Sequence, residues 1–171
     1  SILKSSLQGV HPIGHEGFVH VEKVLVLAQP VGGLIYHTLS TGAYARLRES
    51  RSLVIDPGFF TVDWLVVDGI QPIVQRCGSH PAGTSAVLHT LAESLSQEQQ
   101  IDLNDLQLLD RALRTGVLNL FGRQISLAKH LTAARHVTDE AVNAMTNSVG
   151  DGHDIDLIVL VGGGAEFYRP A

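Results

Sequence analysis

Residues 54–69 read VIDPGFFTVDWLVVDG, and the parsing of this stretch decides the fold. Residues 52–55 are the lead-in of a buried strand, Pro57 and Gly58 supply a turn, and Val62, Trp64 and Val66 return with strand composition. Asp56 and Asp63 therefore stand at the two ends of one tight turn. The residue types suit a polyanion such as a nucleotide triphosphate. Gly58 lets the backbone come close to phosphate oxygens with no Cβ in the way, and Thr61 adds a hydroxyl donor. Asp56, at the end of a buried strand, suits a Mg²⁺ held through its waters, because that ion sheds water reluctantly. Asp63 can orient a water or serve as a second Mg²⁺ ligand. Taken alone, the same residues equally make an ordinary hairpin in which Asp56 accepts backbone N–H bonds and Pro57-Gly58 only turns the chain.

Two further stretches bear on that choice. Residues 154–167, DIDLIVLVGGGAEF, read as a buried strand over 157–161 that breaks into Gly162, Gly163, Gly164 and Ala165 before a helix start. Glycines in that position let a flat ligand lie on the backbone, although a close-packed turn accounts for them as well. The run lacks the Lys-Ser/Thr of a Walker loop and the spaced glycines of a dinucleotide fingerprint. Upstream, residues 21–42, VEKVLVLAQPVGGLIYHTLSTG, read as an apolar strand, a Gln29-Pro30 junction and a helix through Leu34, Ile35 and Leu39. Pro30 fits a first helical turn, where its missing N–H costs nothing. Gln29 is thereby presented at a strand end.

Taken in order, Gln29 with its helix, the Asp56-Pro57-Gly58 turn with Thr61 and Asp63, and the Gly162–Ala165 run resemble the actin-like ATPase superfamily, which also holds the heat-shock chaperone ATPases and sugar kinases. The Asp-Pro-Gly variant and the phrase VLVLAQPVGG are most similar to plasmid-segregation actins of the ParM and StbA type, and the Phe-Phe-Thr-x-Asp-Trp run is similar to the protein D group of the PRTRC plasmid system. The resemblance implies an α/β fold: a ribonuclease-H-like lobe of the actin and chaperone-ATPase kind, with a mixed sheet flanked by helices and a small helical insertion. It also implies a function: ATP and Mg²⁺ bound between two lobes, hydrolysis, and filaments that segregate plasmids. Asp56 would hold Mg²⁺ through water and Gln29 would orient the attacking water. Gly58, Thr61 and Asp63 would face the phosphates, and Gly162, Gly163, Gly164 and Ala165 the base. The implied partners are further copies of the chain and a DNA-binding adaptor. The family's first phosphate loop has no counterpart before Gln29, so the expectation is a fragment: residues 1–30 the end of a first lobe and crossover, 31–171 the second lobe, with an insertion at about 98–125. A small-molecule kinase of the same superfamily and a non-catalytic actin-fold scaffold remain as alternatives.

Composition narrows the classes. With 171 residues, 44% of them apolar and 17% charged, the chain can bury a core and is too apolar for disorder. A net charge of −5 argues against direct nucleic-acid binding, which needs clustered Lys and Arg. The lone Cys77 excludes an internal disulfide and suits a reducing cytoplasm, and no run of about 20 apolar residues suggests a membrane span. None of the nine histidines has the spacing of a zinc helix, which leaves them as packing or surface residues.

Elsewhere, residues 1–16 read as a polar excursion and 17–28 as strand. Residues 71–77 read as a third strand paired with 62–68 through the Asp68-Gly69 turn. Thr84 or Ser85 is expected to cap a helix with Val87, Leu88, Leu91 and Leu95 inward. Asp102 is expected to cap one that turns Leu103, Leu106, Leu109 and Leu113 inward and ends at Gly116. A hairpin around Gly122 follows, and Ser126 then opens a helix to about Ser148. Asp102 and Asp110 read as helix cap and solvated face.

Overall fold

The structure, a computed structural model, describes residues 2–15 and 17–168. In chain order its elements are α1 (Ile2–Leu7), β1 (Gly9–Ile13), β2 (Gly17–Val21), α2 (Gln29–Thr41), α3 (Tyr44–Arg48), β3 (Arg51–Pro57) and β4 (Val62–Asp68). There follow β5 (Gln71–Pro72), a 3₁₀ turn (Val74–Arg76), β6 (Gly78–His80), α4 (Thr84–Gln99), α5 (Leu106–Thr115), β7 (Val117–Leu120) and β8 (Arg123–Ser126). The chain closes with α6 (Ala128–Val149), β9 (Leu157–Leu160) and α7 (Ala165–Tyr168).

The central sheet runs β5-β4-β3-β9, with β6 also on β4. β3 and β4 pair antiparallel over their full length, while β9 pairs parallel with β3, which makes the sheet mixed. Helices cover both faces. On one, Leu34 of α2 and Leu47 of α3 pack on Val54, Leu65, Val67 and Val159. On the other, α4 and α6 bring Val87, Leu91, Ala134, Val137 and Ala141 onto Val62, while Val149 packs on Leu53, Trp64 and Val66. A third cluster, with Leu88, Leu95, Leu103, Leu109, Leu118 and Leu127, joins α5 and the β7–β8 hairpin to the outer sides of α4 and α6. The expected α/β lobe is therefore the fold observed.

An ion network ties the sheet's far end. Asp154 takes hydrogen bonds from both Arg51 and Arg76, Arg51 reaches Asp68 at 2.6 Å, and Arg76 Nε donates to the Val149 carbonyl at 2.9 Å, where α6 stops. The two guanidiniums hold the Asp154 carboxyl well below the usual carboxylate range. Inside, His130 is buried between Ser94 Oγ at 2.7 Å and Glu98 at 3.3 Å, which accounts for it as a packing residue. Among the described residues no helix is long and apolar enough to cross a membrane.

Several local expectations need correction. Residues 17–28 are not one strand: β2 ends at Val21, pairs only with β1, and residues 22–28 join no ladder. Within the expected excursion, residues 2–13 form α1 and β1; Ser1 and Glu16 lie outside the described residues. The third strand is broken. Gln71 pairs with Asp68 across Gly69, as expected, and the Ile73 N–H reaches the Val66 carbonyl at 2.8 Å, but the chain then makes the 3₁₀ turn and re-enters a ladder on β4 at β6. Gly83, not Thr84 or Ser85, is the N-cap of α4. Asp105, not Asp102, caps α5, its carboxylate accepting the Leu108 N–H at 2.9 Å, so Leu103 is buried from a loop. Ser126 ends β8, and Leu127 takes the cap position of α6. The hairpin at Gly122 is as read, with Phe121 and Gly122 both at positive φ, the geometry that suits right-twisted strands.

Candidate functional site

At the tip of the β3–β4 hairpin, Asp56 lies directly opposite Asp63 and Pro57 opposite Val62. The Gly58 N–H closes the turn on the Thr61 carbonyl at 2.8 Å. Behind the turn stands the start of α4. Gly83, Thr84 and Ser85 donate their N–H groups to the carbonyls of Phe60 (3.2 Å), Gly58 (3.0 Å) and Phe59 (2.7 Å). Gly83 makes this docking possible, since a Cβ there would lie 2.6 Å from backbone atoms of Phe59, Phe60 and Thr61.

That docking orients the loop's donors. Among the described residues no peptide bond is cis, and in a trans peptide the N–H points opposite to the carbonyl it shares a plane with. Carbonyls 58, 59 and 60 point at α4, so the N–H groups of Phe59, Phe60 and Thr61 point away from it. None of the three has an acceptor among the described residues. Successive free N–H groups at a turn form an anion-binding concavity, and the positive end of the α4 dipole lies in line behind them. Two expected donors are otherwise engaged: the Gly58 N–H closes the turn, and the Thr61 hydroxyl donates to Asp63 at 2.8 Å. Sequence reasoning placed Gly58 and Thr61 here but missed the three amides, because which way a peptide faces is set by α4.

Asp56 is 3% exposed, and its Oδ1 has no hydrogen-bond partner. Burial pushes its carboxyl up from the ordinary value; hydrogen bonding from the Gln29 side chain partly offsets this, and the charge of Asp63 adds to the rise. Since Oδ1 is the unpartnered oxygen, the Gln29 amide does not satisfy it. Gln29 is the exposed first residue of α2. It reaches the hairpin because α2 crosses close over β9 at Gly33, where a Cβ would lie 2.6 Å from the Val161 side chain. Gln29 and Asp63 line one cleft of about 250 Å³. A buried carboxylate oxygen without a partner, a second carboxylate opposite and an amide alongside form an oxygen donor set of the kind that hard cations take, so these residues fit Mg²⁺.

The third part is the turn after β9. Its glycines serve different ends. Gly162 has φ +85°, and a Cβ on it would fall 2.2 Å from Asp56 Oδ1; one on Gly164 would fall 2.8 Å from both the Pro57 carbonyl and Thr84 Oγ1. Gly164 also donates its N–H to the Pro57 carbonyl at 2.9 Å. Gly163 alone meets nothing within 4 Å. Close packing thus explains the outer two glycines, and Gly163 presents open backbone. Ala165 is the half-buried first residue of α7. Beside the turn, Gly163 and Gly164 share a cavity of about 220 Å³ with Thr84, Asp110, Arg114 and Phe167. A larger depression of about 490 Å³ adjoins it through Leu131 and Phe167 and reaches Arg135. Asp110 is therefore half-buried beside the glycines and paired with Arg114 at 3.1 Å, where the sequence suggested a solvated face. Nothing in the spacing of α5 signals which way it leans.

Comparison with known proteins bears on the fold and the family. The family model of the archaeal actin homologue MreB-like C-terminal domain matches residues 54–171. Among solved structures, Ta0583, an archaeal actin homologue in complex with ADP, is 17% identical with a TM-score of 0.72, over 90% of this chain and 51% of that one. A 15-stranded ParM filament from Clostridium botulinum is 18% identical with a TM-score of 0.70, over 92% of this chain and 49% of that one. The chain thus spans about half the length of these relatives. No curated protein sequence matches it. The resemblance to ParM-type actins is sustained at the level of fold. Because the family model covers more than half of its residues, the chain belongs to the archaeal MreB-like actin homologues, within the actin-like superfamily.

Proposed function

We propose that this chain is the second lobe of an actin-like ATPase that binds Mg²⁺-ATP and assembles into filaments serving plasmid segregation. The observation that carries the reading is the row of three unpartnered N–H groups at Phe59, Phe60 and Thr61, beside the buried Asp56 and the open backbone of Gly163. In this reading the amides take the terminal phosphates, and the cavity at Gly163, Thr84, Asp110 and Arg114 takes the base. Asp56, supported by Asp63, holds the metal's waters, and Gln29 orients the attacking water. Mg²⁺, when bound, neutralises the charge that develops on the phosphoryl oxygens. Gln29 cannot remove a proton strongly, so hydrolysis is slow until assembly closes the cleft. Residues 1–30 then belong to the first lobe and the crossover, 31–171 to the second, with the insertion at about 98–125. A cytoplasmic setting and a DNA-binding adaptor complete the proposal.

The structures of an ADP complex and of a filament among relatives of the same fold support the nucleotide and the self-association respectively. The test is light scattering of the intact parent protein on adding Mg²⁺-ATP, with phosphate release followed in the same cuvette. Scattering that rises and decays as phosphate appears supports the reading, and Gln29→Ala should then prolong the plateau while sparing nucleotide affinity. Phosphate transfer only with an added small substrate identifies a kinase, and silence in both channels a scaffold.

A further inference from the structure

The adenosine-side turn and the metal-side carboxylate come from different parts of the chain, yet they touch. At φ +85° the missing Cβ of Gly162 points into the protein, where it would lie 2.2 Å from Asp56 Oδ1 and 3.0 Å from the Pro57 carbonyl. The turn cannot slide off this contact freely. On one side the Val161 N–H is bonded to the Ile55 carbonyl at 2.9 Å, and on the other the Gly164 N–H is bonded to the Pro57 carbonyl at 2.9 Å. Asp56 lies between those two anchor points on β3. The oxygen under Gly162 is buried and makes no hydrogen bond of its own. The Gln29 amide bonds the carboxyl elsewhere, so on the Oδ1 side the limit is contact with the glycine above.

We propose that Gly162 is a positioning residue for Asp56: its bare Cα sets where the carboxylate sits, so the turn that would receive the base and the group that would hold the metal's waters move as one unit. This rests on the proposed nucleotide site and adds to it a mechanical link between its two ends. A ligand pressing on the open backbone at Gly163 would shift Gly162 and, through it, Asp56. Base occupancy would thereby tune metal affinity.

The experiment has two readouts on the 171-residue chain. The first needs no ligand. Melting temperatures of wild type, Gly162→Ala, Asp56→Ala and the double variant form a cycle. Gly162→Ala carries both backbone strain at positive φ and the clash with Oδ1, and only the clash is removed by Asp56→Ala. The drop in melting temperature caused by Gly162→Ala should therefore be clearly smaller in the Asp56→Ala background; equal drops would overturn the contact. The second readout is ADP affinity with Mg²⁺ and with EDTA, by calorimetric titration. Gly162→Ala should lose at least about tenfold more affinity with the metal than without it, equivalent to about 1.4 kcal/mol. Gly163→Ala, whose Cβ meets nothing, should lose equally in both. Equal losses for Gly162→Ala would overturn the positioning role, whereas a wild-type chain that binds no ADP in either condition would overturn the nucleotide site itself.

Discussion

At Asp56 the environment of one residue costs the fold stability. Its carboxyl is buried, has an unpartnered oxygen and titrates above its usual value of 3.8, chiefly through burial. A raised folded value means the folded state binds the proton more tightly than the unfolded one. That contribution is complete below pH 3.8 and is lost as the pH rises through the folded value, so at neutral pH the ionised group weakens the fold. Asp56→Asn should therefore stabilise the chain at pH 7.5, by about 1 kcal/mol in denaturant melts, while removing the gain in nucleotide affinity that Mg²⁺ gives. The stability gain should vanish below about pH 4, and a variant less stable than wild type at pH 7.5 would contradict the assignment. Asp56 and Asp63 were legible as a pair because the turn between them carries Pro57 and Gly58. The close approach of Gly162 was not, since the contact spans from β3 to the end of β9 and leaves no local pattern.

Among the elements, α4 shapes the site without supplying a catalytic group. Its first N–H groups hold the hairpin carbonyls, and Gly83 lets it come that close. Gly83→Ala would set a Cβ against backbone that cannot rotate aside, at a cost of about 1–3 kcal/mol. The displaced loop should also lose phosphate affinity, which calorimetric titration with ADP would register; unchanged affinity would mean that α4 does not set the loop. The strands β3, β4 and β9, the long α6 and the β7–β8 hairpin could be read from apolar periodicity and turn residues. The misread caps have one cause. Thr84, Asp102 and Ser126 are good cap types, but Gly83, Asp105 and Leu127 take the position because docking against the loop and the α5 cluster decides where each helix can begin. The third strand breaks after Ile73, whose N–H still reaches Val66 on β4, where the 3₁₀ turn over Val74–Arg76 takes the chain out of the ladder until β6.

The whole molecule divides into a packed body and a leading segment that shares no core with it. None of the described residues before Pro30 is buried, and Ile2, Phe18, Leu25 and Leu27 are more than half exposed. In the proposed reading this segment belongs to the first lobe, the rest of which would cover its apolar surface. Deleting residues 1–21 should leave the melting temperature within about 2 °C of the parent chain; a larger fall would show that the segment packs on the body. The proposed nucleotide site stands on the three unpartnered amides of Phe59, Phe60 and Thr61. The most direct test is an amide ¹H–¹⁵N NMR titration of the chain with Mg²⁺-ADP. The amides of Phe59, Phe60, Thr61 and Gly163 should shift together with one saturating affinity, and a titration that moves other amides while leaving these four in place would contradict it.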